Sequence, residues 1–385
     1  MTLLNSQRWL SFGFFFFFIT WGIFLPFWTG WLTTDKGLTV TAASVVMGVG
    51  MILRSFSTFL FFPMMTRKAP LVSVIRWMGI ASIVALLLYI PASSFTALLI
   101  ITALFSMFYP TLLPAIESSA TVLMQREHIH YGKSRSYGSI GYTVSVFIIG
   151  ALIGFWGEGV ILYGMIAGLG ILVFYFFQRA PVAITSFDTS QEHKKTSLKQ
   201  LFQSKTFIVI GVLAVLLQGA HTAYYNYGFI YLNDLQVNGV YIGLILNIAV
   251  LFEIVFFTQA DRYFANVKIS TLYIIASAGS SLRWLLIFIF PTAPVFILSQ
   301  GLHALSFGFA HYAFIQYISK HLDESLIAPA QGFYAAFAMS LSIAILTFPA
   351  GFLYDLQPSY AFASMMICSV PALLLVLTTR KKLQF

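Results

Sequence analysis

Charge is what this chain has least of. Only 9% of its 385 residues are Asp, Glu, Lys or Arg, against roughly 25% in ordinary soluble domains, which leaves too few solvated side chains to coat a water-facing surface. Cysteine is nearly absent too. Cys368 is the single copy and lies within an apolar run, so an intrachain disulfide and a cysteine zinc site are both excluded. No metal-ligand spacing occurs, and no nucleophile, base and orienting group form a recognisable set. "YGKS" at 131–134 has the ending of a phosphate-binding loop, but the position five before Gly132 is Glu127, where that loop requires glycine. A nucleotide-driven machine is therefore not expected.

What is present is hydrophobicity, at 59% of residues and a mean hydropathy of +0.87. Apolar runs of about 20 residues, enough to cross a hydrocarbon core of about 30 Å as a helix, recur along the chain. Twelve are discerned, at 8–32, 39–64, 70–91, 95–122, 134–156, 159–178, 206–232, 239–260, 268–290, 294–319, 327–353 and 358–379. The first, with its Phe14 to Phe18 run, is too long for the apolar core of a signal peptide and lacks a small-residue cleavage site, so it reads as a retained helix. The expectation is an all-α integral membrane protein of twelve transmembrane helices.

Acidic residues number 12 against 21 Lys and Arg, a net charge of +9. In a membrane protein such an excess sets orientation rather than attracting nucleic acid. With a cytoplasmic N-terminus, eighteen of the 21 basic residues fall at cytoplasmic ends or loops, Lys36 lies opposite, and Arg54 and Arg283 are left inside spans. Both termini are expected in the cytoplasm. The one extended polar stretch, 179–205, divides the spans six and six. It predicts two bundles, 1–178 and 206–385, joined by a cytoplasmic linker, and the short loops elsewhere imply antiparallel neighbours.

Polar groups inside spans mark the candidate site. On a wheel of 100° per residue, Gln218, His221, Thr222, Tyr225 and Phe229 of span 7 share an arc of about 100°, while Tyr224, Tyr227 and Tyr231 point elsewhere. Gln300, His303, Phe307, His311 and Phe314 of span 10 share about 80°. "QGAH" at 218–221 and "QGLH" at 300–303 echo each other at equivalent places. Two such stripes suggest one cavity wall, although hydrogen bonding between helices accounts for single members equally well.

Arg54, Glu117, Glu253 and Arg283 are ionisable groups within spans, where a charge costs at least about 2.5 to 3.5 kcal/mol, so each should face the bundle interior and find a partner. Glu253 with Arg283 is the expected pair, either functional or structural. Arg54 is expected to be a fixed cation for an anionic substrate, or else to pair with Glu117 or with backbone carbonyls of a neighbouring helix. Glu253, His303, His311 and His221 are the groups able to carry a proton. Gly150 and Gly154 read as a close-packing pair.

Taken together, "YGKSRSYGSIGY" entering span 5, "LLQGAHTAYYNYGFIY" on span 7, Glu253, "SLRWLL" on span 9, "QGLHALSFGFAHYAFIQYI" on span 10 and "GFLYD" closing span 11 resemble the phenylpropionate permease family of the major facilitator superfamily. "TQADRY" at 258–263 resembles the superfamily's loop motif, whereas "PMMTRKA" at 63–69 keeps only the basic pair. The resemblance implies two six-helix bundles and a proton-coupled importer of a small aromatic carboxylate such as 3-phenylpropionate, working by alternating access in the bacterial inner membrane. It implies no enzymatic activity and no cofactor, with the proton gradient as energy source. The expected partners are a small-molecule substrate, protons and membrane lipids, with a monomer as functional unit and no nucleic acid. Glu253, Arg283 and His303 or His311 would couple the proton. Trp21, Arg54, Glu117, Gln218, His221, Thr222, Tyr225, Phe229, Gln300 and Phe307 would contact substrate. A sugar or nucleoside symporter is the alternative, since Gln218, Asn226, Asn247 and Gln300 suit hydroxyls. A membrane sensor or scaffold is weaker, for want of a soluble signalling domain.

Overall fold

The computed structural model describes residues 3–66, 68–127, 129, 131–185, 198–322 and 324–383. Among them the secondary structure is helical throughout. Eleven helices are long and apolar enough to cross a membrane, and Leu71–Leu87 is a shorter apolar twelfth. All twelve apolar runs are thus helices, which follows from the rule that a backbone in lipid must satisfy its own hydrogen bonds.

We number the membrane helices α1 to α12. Uninterrupted are α1 (Leu3–Thr34), α3 (Leu71–Leu87), α5 (Tyr131–Trp156), α6 (Val160–Phe177), α8 (Gly239–Phe264) and α9 (Ile269–Ile289). The other six depart from the continuous helices expected. In α4, Phe95–Phe108 and Leu112–Glu127 are parted by a turn at Tyr109, Pro110 and Thr111, where proline withholds a donor. In α12, Pro358–Ser364 and Met366–Leu383 meet at Met365. Helix α2 runs Val40–Phe56, then a π-helical turn Ser57–Phe61, then Phe62–Thr66. Helix α10 runs Ala293–His303, π-helical Ala304–Gly308 and Phe309–His321, and α11 runs Glu324–Phe333, π-helical Tyr334–Leu341 and Ser342–Leu356. Such π turns gather at functional sites.

The break that matters most is in α7, between Lys205–Gly219 and Thr222–Asp234. No proline causes it. The carbonyls it frees are taken by polar side chains of the same stretch: Thr222 Oγ1 donates to Gly219 O at 2.7 Å, and His221 Nδ1 reaches Leu217 O at 2.8 Å. His221 N meanwhile bonds Gln218 O at 3.1 Å, three residues back instead of four.

The chain divides into two compact units. One holds Met1–Leu38, Val45–Glu192 and Asn238–Leu244, the other Thr39–Ser44, His193–Val237 and Ile245–Phe385. In the first, α1 packs along α5, α6 and α4. A methyl at Gly141 of α5 would strike the Phe15 carbonyl oxygen, so α1 and α5 meet backbone to backbone. In the second, α9 packs on α10 and α12, and α7 on α11 and α12, around Leu213, Leu217, Tyr273, Ala276 and Ala310. Side chains such as Trp77, Phe155, Phe174, Leu298 and Ile367 are exposed, the apolar exterior expected of lipid-facing helices. Residues 186–197 of the expected linker lie outside the described residues, as do Arg67 and the Asp261 side chain of the loop motifs. The flanking parts form a short 3-10 turn, Val182–Ile184, and a helical turn, Leu198–Leu201.

Candidate functional site

Arg283 of α9 is fully buried, and its guanidinium lies over two rings, Tyr224 at 4.5 Å and Trp284 at 4.6 Å. Nη1 bonds His303 Nδ1 at 2.8 Å and Nη2 bonds Gln300 Oε1 at 3.4 Å. Its Nε has no hydrogen-bond partner among the described residues. The other nitrogen of His303, Nε2, stands 3.5 Å from Glu253 Oε2 of α8. A guanidinium can only donate, so Nδ1 must present its lone pair and the ring proton sits on Nε2, facing the carboxylate. The expected pairing of Glu253 with Arg283 is thereby corrected: His303 stands between them, one ring nitrogen on each. The chain grades in exposure as well, from Arg283 at 0% and His303 at 4% to the Glu253 side chain at 28%.

His221 lies beside this chain, its ring edge-on to His303 at 5.5 Å and to Trp284 at 5.8 Å. A carbonyl can only accept, so the Leu217 contact places the proton on Nδ1 and turns the Nε2 lone pair toward Ser306 Oγ, 3.0 Å away. Along α10, His303, Phe307 and His311 form a stack, with centroids 5.3 and 5.8 Å apart and planes within 2° and 10° of parallel. From its foot, His311 Nδ1 meets Tyr334 OH of α11 at 2.9 Å, and that hydroxyl accepts from Gln218 Nε2 at 2.7 Å. The stripes on α7 and α10 are therefore in contact.

Some members take other roles. The Thr222 hydroxyl is committed to the Gly219 carbonyl. Tyr225 is half-buried with its ring stacked on His221 at 5.9 Å, and Phe229 is buried. Asn226 donates to Thr347 Oγ1 and the Thr222 carbonyl. Tyr224, placed off the stripe by the wheel, is under Arg283. The wheel assumed an unbroken α7, and the break at Ala220 and His221 re-aims everything beyond it.

In the other unit, the Arg54 guanidinium of α2 lies 4.9 Å over the Trp21 ring of α1, and both residues are half-buried. Trp21 belongs to an aromatic wall with Phe17, Phe24 and Tyr109, which the Pro110 turn holds in place with its hydroxyl on Thr20 Oγ1 at 2.8 Å. Among the described residues no carboxylate pairs with Arg54. Glu117 pairs instead with Arg135 of α5 at 3.7 Å, and Arg135 lies over Phe18 at 4.2 Å, which corrects the alternative of an Arg54–Glu117 pair.

Buried polar chains linking helices of an apolar bundle are the fabric of a membrane carrier, and residues 7–364 match the family model described as MFS_1 like family. The chain belongs to the MFS_1 like family. It is similar to the "Probable 3-phenylpropionic acid transporter" of Escherichia coli (strain K12), 28% identical over 97% of this chain and 98% of that one. It is also similar to the "Maltose permease" of Geobacillus stearothermophilus, 25% identical over 77% of this chain and 74% of the relative. The crystal structure of the nucleoside transporter NupG superposes with a TM-score of 0.82 at 16% identity, covering 99% of this chain and 100% of that one, which shows a shared fold. This MFS_1 like protein is accordingly a multi-pass membrane transporter of the major facilitator type.

Sequence reasoning missed four residues of the candidate site: Tyr224, Trp284, Ser306 and Tyr334. Trp284 adjoins Arg283 in "SLRWLL", and an aromatic beside a buried cation is a usable signal. Ser306 and Tyr334 sit in apolar contexts, "HALSFG" and "GFYAAF", that single out neither.

Proposed function

We propose that the protein is a proton-coupled importer of small aromatic carboxylates such as 3-phenylpropionate, drawing on the proton gradient without a cofactor. It works by alternating access of two bundles, 1–178 and 206–385, about the 179–205 linker, in the bacterial cytoplasmic membrane with both termini inside. The observation that carries this reading is the Arg283 cluster: a buried cation lying on two aromatic rings, wired through His303 to an acid. An aromatic acid asks for a cation and for ring surface at once, and the cluster offers both. Arg54 over Trp21 repeats the combination in the other unit. The name of the Escherichia coli relative, matched along nearly the whole chain, supports the same substrate class.

The second reading, a sugar symporter, draws on the maltose permease. Against it stands the state of the amide donors: Gln218 Nε2 donates to Tyr334, Gln300 Nε2 to the Phe296 carbonyl and Asn226 Nδ2 to Thr347, while Gln300 Oε1 accepts from Arg283 and Gln218 Oε1 is left without a partner among the described residues. Amide N–H groups spent on the protein are poorly placed to donate to sugar hydroxyls.

Uptake of radiolabelled 3-phenylpropionate into proteoliposomes under an imposed proton gradient tests the proposal. Saturable accumulation that collapses with a protonophore is expected. Failure of every aromatic acid in uptake and counterflow, beside saturable maltose uptake, would overturn it in favour of the second reading.

A further inference from the structure

The Arg283–His303 contact raises a question of charge. With Glu253 ionised, Arg283 positive and His303 neutral, the chain carries no net charge, and low-dielectric surroundings favour that balance. An anion arriving alone at Arg283 would leave the cluster negative. A proton arriving alone at His303 Nδ1 would meet the guanidinium head on, because the lone pair it needs is the one that Nη1 occupies at 2.8 Å.

Both obstacles vanish if the two arrive together. We propose that Arg283 is a two-position donor: it holds His303 Nδ1 in the empty carrier and swings to the carboxylate of the anion in the loaded one, so that anion binding unmasks the nitrogen that accepts the transported proton. This rests on the aromatic carboxylate reading above and adds the atom and the trigger. In the loaded state an N–H bond forms at His303 Nδ1 with a proton delivered from the aqueous phase by hydronium or a buffer acid, which is left as water or the buffer base, and His303 keeps its Nε2–H toward Glu253. Two ion pairs result, Arg283 with the substrate and protonated His303 with Glu253, and the net charge is again zero.

The surroundings of His303 fit this exchange. Its charged or titratable neighbours are Arg283 of α9, Glu253 of α8, and His221 and Tyr224 of α7, both rings at 5.5 Å. His221 does not compete for the role, since its Nδ1–H is on the Leu217 carbonyl and its Nε2 faces Ser306. The guanidinium has a donor to spare for a new acceptor, because its buried Nε has no hydrogen-bond partner among the described residues.

The test is calorimetric binding to the purified wild-type protein in detergent at neutral pH, in buffers of different ionisation enthalpy. This reads the protons taken up per ligand bound. The probes are 3-phenylpropionate, cinnamate, benzoate and the neutral 3-phenylpropanamide. The expected result is uptake of about one proton per carboxylate, as one histidine titrating requires, and none with the amide. In His303→Gln, where the amide oxygen still accepts from Arg283 but takes no proton, uptake per bound anion should fall toward zero. Wild-type binding of an anion without proton uptake would overturn this inference alone, and so would full uptake retained in His303→Gln. Binding of none of the three acids would overturn the substrate reading and this inference with it. The wild-type measurement decides even where the variant does not fold.

Discussion

His303 shows how much one contact decides. A histidine facing an arginine on one nitrogen and a carboxylate on the other has a single compatible tautomer, and its protonation is tied to whatever else the arginine can bind. Glu253 is then the counter-charge for a protonated His303, and its partial exposure makes it the outer member of the chain. Glu253→Gln should abolish gradient-driven accumulation while equilibrium exchange of substrate continues. Parallel proton-gradient uptake and counterflow in the same proteoliposomes would reveal this split, and accumulation persisting in the variant would make Glu253 structural. Neutral exchange survives because the Arg283 cradle of Tyr224, Trp284 and Gln300 does not include the acid.

At the scale of the element, α7 matters most. Its break sits where the sequence crowds polar groups, and those groups supply the hydrogen bonds that the interrupted helix loses. Thr222 is thus a scaffold residue within a stretch that otherwise serves the site. Thr222→Val keeps the shape but strands the Gly219 carbonyl in a buried place, at a cost of about 1 to 3 kcal/mol. A lower melting temperature of the detergent-solubilised variant is expected, and an unchanged one would show that the carbonyl finds another donor. The π turns of α10 and α11 tell a related story, for His303 precedes one directly and Tyr334 begins the other. Neither turn has a sequence signature such as proline, so both were invisible in the hydrophobic pattern.

For the whole molecule, the proposed orientation rests on the placement of basic residues. Arg8 near the start and Arg380, Lys381 and Lys382 near the end flank the eleven long apolar helices and the shorter twelfth, Leu71–Leu87, found among the described residues. Fusions of a cytoplasm-reporting fluorescent protein at each end should both be bright, and alkaline phosphatase fusions at the same points inactive. Activity from either phosphatase fusion would reverse the assignment for that end. The charge bias acts during insertion, when loops are retained or passed across, so it survives as a record in sequence whatever the helices later pack against.

Hydrophobic length and charge placement determined the class by themselves: twelve apolar helices, because a bilayer sets both the length of a span and the penalty for every charge inside it. The ionisable exceptions to that rule were legible for the same reason: Glu253, Arg283, His303 and His311 sit in polar contacts, and Arg54 lies over the Trp21 ring. Which of them meet was decided only in three dimensions. Glu253 meets Arg283 through His303, Glu117 meets Arg135, and Tyr224 turns under the guanidinium. Those outcomes depend on helix breaks, π turns and side-chain reach of a few ångströms, quantities that hydrophobic periodicity along a single helix does not encode. "QGAHTAYYNYGFIY" illustrates the division: its polarity announced a site, but the break inside it determined which side chains the site received.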